Sequence, residues 1–265
     1  MRSTTLAGVI GLAALAACSD GGPAATGRVD VGFATDASAA SAAGASGAGA
    51  LMADTYTDLS GNTLVIEGVQ VVIRKLKLEG STAVGCPEDG GGGDSLMTSS
   101  DSGEVEESDD CPVLRAGPFL VDLPLNGGVE HQVTVTVDTG TYSEARFQIH
   151  KPEGADDQAF LAAHPEFAGA SIRVTGTYNG TPFTFTTGVT DVQQVEFDPP
   201  IVVTEGTTSF TVLVDLSGWF KTGAGVLLDP ATVAGDLALS AQVNANIVRS
   251  FHGFGDEDHD GHPDD

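Results

Sequence analysis

The chain has 265 residues, of which 37 are acidic and 11 basic, giving a formal net charge of -26. That balance argues against nucleic acid or an anionic bilayer surface as a direct partner, because like charges repel on encounter. Hydrophobic residues make up 41% of the chain, enough to fill a core, and 35 glycines alongside abundant Thr and Val suit short strands joined by turns.

Residues 1–17 carry a basic Arg2, an apolar stretch from Leu6 to Leu15 and then Leu15-Ala16-Ala17-Cys18. This looks like a bacterial lipoprotein signal peptide, in which small residues admit the peptidase and the thiol of Cys18 receives the lipid. An ordinary secretory signal is the plainer alternative. The apolar run is shorter than the roughly 20 residues that span a bilayer. Acyl chains on Cys18 would therefore be the membrane anchor. Ser19, where an Asp commonly retains such proteins in the inner membrane, favours the outer membrane. Residues 18–27 read as a lipidated tether, and the localisation expected is the cell envelope.

A β domain over residues 28–250 follows. Gly27 to Gly32, with Arg28-Val29-Asp30-Val31 at its centre, reads as a first strand, and residues 34–53, rich in Ala, Ser and Gly, read as a flexible insertion in preference to an alanine-rich helix. The stretch from Asn62 to Gly80 is the strongest strand signal. Val69, Val71 and Ile73 share one face, and after Arg74 the phase flips so that Leu76 and Leu78 carry it, which predicts a bulge near Arg74. Residues 86–111 form a second insertion, with nine acids and no base between Cys86 and Cys111. Such a segment buries too little apolar area to offset its ordering entropy, so it reads as disordered, either as a solvated insertion or as a diffuse cation trap. With Cys18 lipidated, Cys86 and Cys111 are left to pair as a disulfide in an exported compartment.

Alternation resumes at Phe119, Val121, Leu123 and Leu125, with Asn126-Gly127 as a turn signal. Val133, Val135 and Val137 precede a turn at Asp138 to Gly140, and Ala145, Phe147 and Ile149 continue the pattern as a neighbouring antiparallel strand. Asp156 to His164 reads as a short helix stopped by Pro165. Strands are expected at 172–178, 182–187, 192–197 and 210–216, with a tight hairpin at Asn179-Gly180 and a break at Pro199-Pro200. Trp219-Phe220 suggests a corner. Residues 229–234 suggest a capped helical turn, and 237–250 lean towards helix. The fold class is thus all-β, an antiparallel β-sandwich (prealbumin-like or Ig-like) with one or two short helices.

At Val121-Asp122-Leu123, Asn126-Gly127 and Gly140-Thr141-Tyr142-Ser143-Glu144-Ala145-Arg146-Phe147 the chain resembles a family of bacterial lipoproteins with a domain of unknown function, grouped with prealbumin-like, carbohydrate-binding-like β-sandwiches. The resemblance spans roughly residues 28–216. It implies a sandwich that binds glycans and brings no catalytic residues; the acidic insertion departs from it.

The tail, residues 251–265, contains Asp256-Glu257-Asp258-His259-Asp260-Gly261, a D-x-D-x-D-G spacing that opens a calcium loop. Alternate oxygens converge on a hard cation, and the glycine allows the sharp turn. The expected ligands are Asp256, Asp258 and Asp260 through side chains, His262 through its carbonyl, and Asp264. A complete loop needs a bidentate acid at its twelfth position, which would be residue 267, so the site is incomplete unless Asp265 folds back or another segment contributes an acid. A charged tail without a metal, or a transition metal on His259 and His262, are the alternatives. For glycan stacking the candidates are Trp219, Phe220, Tyr142 and Tyr178, each more readily read as core. His131, His150, His164 and His252 are scattered, and there is no G-x-S-x-G, H-E-x-x-H or phosphate-cradling loop. The chain therefore reads as a non-catalytic binding module of the envelope whose partner is a glycan or an envelope protein. A structural module without a small ligand is the alternative, and a hydrolase is the least supported.

Overall fold

The computed structural model describes residues 25–36, 53–80, 113–115, 117–125 and 128–256. Its organising element is β3 (Thr63–Gly80), 18 residues long. Side chains of Leu64, Ile66, Val69, Val71 and Ile73 enter the core from its first part, and Leu76 and Leu78 from its second. The change of phase occurs at Lys75, whose φ of 54° places one residue in the left-handed region, and the ladder to the next strand shifts register between Arg74 and Lys77. An earlier register shift to β8 between Ile66 and Gly68 changes the phase once before, so two irregularities let a single strand serve the core along its length.

Both edges of β3 are used in succession. On one edge lie β2 (Asp54–Thr57), β5 (Phe119–Asp122) and β4 (Val113–Arg115). On the other, β8 (Ile172–Tyr178) pairs with residues 64–71, and β7 (Gly140–Ile149) takes over from residue 73. Val72 is the splice: its N–H donates to Ser171 O at 2.8 Å, and its carbonyl accepts from His150 N at 3.3 Å. β9 (Thr181–Thr187) and β10 (Asp191–Val203) complete an eight-stranded sheet in the order β10-β7-β3-β8-β9, with β2, β4 and β5 on β3. The β8–β9 turn has Asn179 and Gly180 at φ 49° and 78°, as the Asn-Gly signal predicts.

The second sheet has four strands in the order β12-β11-β1-β6, from β12 (Phe251–Gly255), β11 (Thr207–Val214), β1 (Thr26–Thr35) and β6 (Val129–Asp138). β1 runs parallel to β11 and antiparallel to β6. Val29, Val31 and Phe33 from β1 and Phe210, Val212 and Val214 from β11 face Ile73, Phe147 and Ile149 of the large sheet in one continuous core. The molecule is an all-β sandwich. Its helices are α1 (Gln158–Ala163), α2 (Pro230–Gly235) and α3 (Leu237–Val248), the last two N-capped by Asp229 and Asp236.

Four expectations need correction. β6 and β7 do not pair; the tight turn between them carries the chain from one sheet to the other, and Tyr142 Oη donates to Asp138 O at 2.8 Å across that corner. Alternation reports which face of a strand is buried, not which neighbour it finds. Pro199-Pro200 does not end a strand, since β10 passes through with a register shift between Glu196 and Ile201 and a cis Asp198–Pro199 bond. The first insertion is shorter than expected, because β1 continues to Thr35. β12 adds a strand to the small sheet from residues assigned to the tail. The acidic insertion, with Cys86 and Cys111, and residues 1–17 with Cys18 lie outside the described residues.

The two sheets close on each other where β10 meets β12. A Cβ on Gly253 would lie 1.9 Å from Val195 Cγ1, so only glycine permits this approach. Replacing Gly253 with alanine is expected to push the strands apart and lower stability by about 1–3 kcal/mol, read as a reduced urea midpoint with an unchanged slope.

Candidate functional site

The four aromatic candidates divide sharply. Trp219 is 0% exposed, Phe220 1% and Tyr142 4%. The Trp219 indole N–H donates to Ser250 Oγ at 2.8 Å, and that hydroxyl donates to Ile247 O at 2.7 Å. Asn246 Nδ2 binds the carbonyls of Gly218, Trp219 and Lys221, fixing the 3-10 turn at Leu216–Gly218 against α3. Phe220 packs edge-on against Phe185 and Phe183. Burial, then the charge of Asp138, pushes the Tyr142 phenol above its ordinary value. These three rings are core and none presents a face to a sugar, so Trp219-Phe220 is the packed corner that the Gly turn suggests and the stacking alternative falls away for them.

Tyr178 alone is half-buried, at the end of β8. Its surroundings are pinned by Asp58, whose carboxylate accepts from Ser60 N at 2.8 Å, Asn62 N at 2.9 Å, Asn62 Nδ2 at 3.0 Å and Leu227 N at 3.1 Å. The last bond ties the β2–β3 turn to the loop before α2. The Asn62 side-chain bond leads the causes that hold the Asp58 carboxyl below its ordinary value of 3.8, against the opposing effect of burial. Burial, followed by the charges of Asp229 and Asp58, pushes the Tyr178 phenol up.

Three further places gather polar groups. The first is an open cleft of about 500 Å³ at the β10–β12 seam, lined by Gln194, Val195, Glu196, Phe251, His252 and Gly253. It offers an imidazole, a carboxylate and an amide above a buried ring. The second lies where the segment carrying α1 crosses β3: Asp157, with its side chain 1% exposed, meets Arg74 Nη1 at 3.5 Å and accepts from Glu153 N at 2.7 Å. Asp157 Oδ1, Arg74 Nε and His150 Nδ1 are buried there without hydrogen-bond partners. His164 lies 3.7 Å from Glu166 and against the ring of Phe160.

The third is on the outer face of the small sheet. Asp256, the first acid of the D-x-D-x-D-G spacing, is fully buried at the end of β12. Its N–H donates to Ser209 O at 3.3 Å, and its Oδ2 accepts from Thr211 Oγ1 at 2.6 Å. Among the described residues no three His, Cys, Asp or Glu side chains form a metal-ligand group. The other expected ligands, Asp258, Asp260, His262 and Asp264, lie outside the described residues, as does His259.

No family model matches the chain, and no curated protein matches it. Among solved structures it is similar to MbnP from Methylosinus trichosporium, with 11% sequence identity and a TM-score of 0.38, covering 87% of this chain and 99% of that one. So distant a likeness carries no statement of function.

Two outcomes follow. Trp219→Ala should cost about 3–5 kcal/mol of stability, and the emission of this single tryptophan should be blue-shifted and poorly quenched by acrylamide until the protein unfolds. Because the Asp58 carboxyl is depressed in the fold, its stabilising effect is complete above pH 3.8 and is lost as pH falls through its lower folded value; in acid titrations followed by circular dichroism, Asp58→Ala should flatten that limb relative to the parent.

Proposed function

We propose that the protein is a non-catalytic module of the cell envelope, held to the membrane by lipid on Cys18, whose sandwich engages an envelope protein and whose carboxyl-terminal acidic segment binds calcium. The observation that carries the calcium element is the position of Asp256. A D-x-D-x-D-G spacing on a free tail must order every ligand at the moment of binding. Here the first ligand is already held by a strand end, by Thr211 and by Ser209, so part of that entropy is spent in folding.

The choice of a protein partner over a glycan rests on the burial of Trp219, Phe220 and Tyr142, which withdraws three of the four stacking rings. A second reading keeps glycan binding and moves it to the seam cleft, where Gln194, Glu196 and His252 could hydrogen-bond a polyhydroxylated ligand. The lipid anchor rests on Leu15-Ala16-Ala17-Cys18 and the envelope location on that anchor.

Calcium added to chelator-treated protein should raise its melting temperature, with a stabilisation of about 2.7 kcal/mol at a hundredfold excess over Kd, while an equal concentration of magnesium should do less. An unchanged melting curve would remove calcium from the proposal. Cross-linking of the full chain in cells should recover one discrete heterologous adduct; only monomer in cross-linked cells, together with a glycan-array hit abolished by His252→Ala, would replace the protein-partner reading with the cleft reading.

A further inference from the structure

Resting on the protein-partner reading above, we infer that the free edge of β12 receives an extended peptide segment of that partner as an added strand. Both sheets end at the same seam, the small one at β12 and the large one at β10, and no ladder joins these two strands. The phase of the β11–β12 ladder is fixed at its two ends, where Asp256 N donates to Ser209 O at 3.3 Å and Asp215 N donates to Ser250 O at 2.9 Å. Hydrogen-bonded pairs alternate with non-bonded ones along an antiparallel ladder. His252 and Phe254, paired with Leu213 and Thr211, therefore turn their backbone groups towards β11, and Phe251, Gly253 and Gly255 turn theirs away from it. The outer edge thus presents N–H and C=O groups at the two-residue repeat that a further strand matches.

Beside that edge lies the open cleft of about 500 Å³, walled by Phe251, His252 and Gly253 on one side and by Gln194, Val195 and Glu196 of β10 on the other. A polypeptide is the occupant that suits it. Donors and acceptors alternating along a line are matched by an extended backbone, which returns an acceptor for each N–H and a donor for each C=O; a sugar carries hydroxyls without that repeat. Edge strands are ordinarily guarded by proline or charge. β9, at the far edge of the large sheet, carries Pro182, and β10 carries Pro199 and Pro200. β12 has no proline, lysine, arginine or acid, and its two glycines place no side chain across the approach. The walls set the partner's chemistry. One face of the added strand meets Phe251 and Val195, both buried, which calls for apolar residues at alternate positions. Glu196 is exposed at the rim of a chain with a net charge of -26, so the segment that fits also carries a basic residue.

The probe is a displayed library of random peptides about ten residues long, enough to run past β12, selected on the full chain with Gly255→Pro as the counter-target. Proline at 255 removes one outward N–H and sets its ring where the added strand lies. It breaks no bond to β11, and a Cβ there comes only to 3.5 Å from Ile201 Cγ2, so the variant should melt with the parent. A selected peptide, synthesised and titrated by fluorescence anisotropy, should bind Gly255→Pro at least tenfold more weakly than the parent, and should bind Glu205→Gln, at an exposed acid in the β10–β11 turn, within twofold of it. In amide exchange of the parent, Gly253 and Gly255 should exchange fast when free and slowly with peptide bound, while His252 and Phe254 stay slow throughout. That readout holds even if the proline variant is unstable. No peptide that separates the parent from Gly255→Pro, or slow exchange at Gly253 and Gly255 in the free chain, would overturn the inference. A glycan-array hit lost in His252→Ala and kept in Gly255→Pro would give the cleft to a sugar instead. A heterologous adduct in cells that persists unchanged in Gly255→Pro would overturn this edge while sparing the partner, and only monomer in cross-linked cells would remove the partner and this inference with it.

Discussion

The large sheet depends on the edges of one strand. β3 offers N–H and C=O groups on both sides along 18 residues, and five other strands draw on them. Val72 bonds to the end of one neighbour's return segment and the start of another's, so β7 and β8 can share one edge only if the chain leaves the sheet between them. That requirement explains the excursion through α1. It returns to cover Val72 with Phe167 and Ala170 on the outer face, a small second core that protects the junction. The positive φ at Lys75 belongs to the same constraint, because a strand this long would otherwise turn its apolar residues away from the core as the sheet twists.

Much of this was legible in the sequence because period-two patterning is a local signal. The phase change after Arg74, the Asn179-Gly180 turn, and the helices around 158–163 and 230–235 all rest on residues within a few positions of one another. Pairing was not legible. β6 and β7 are consecutive and alternate cleanly, yet belong to different sheets, since partner choice is settled by burial against residues such as Val29 and Ile73 more than 60 positions away. β12 was hidden for another reason: Phe251 and Phe254 are set among glycines and a histidine, too few apolar residues to show a period.

The candidate sites followed the same division. Trp219 and Phe220 stand beside a glycine turn in a pattern compatible with both a platform and a packed corner, and only the hydrogen bond from the indole to Ser250 distinguishes them. The acids of the tail were visible as a spaced motif. What sequence could not show was that the motif begins on a strand end, with Asp256 buried and bonded to Thr211 and Ser209.

The parallel pairing of β1 with β11 gives the fold a mechanical character. Were the chain tethered by its amino end, as proposed, tension would enter the sandwich at Thr26 and act along β1. That strand is held over nearly its whole length between β11 and β6, so load is shared by many hydrogen bonds in shear instead of opening them one at a time. A pull on the amino end that would unzip a terminal hairpin meets here a strand paired on both sides within its sheet.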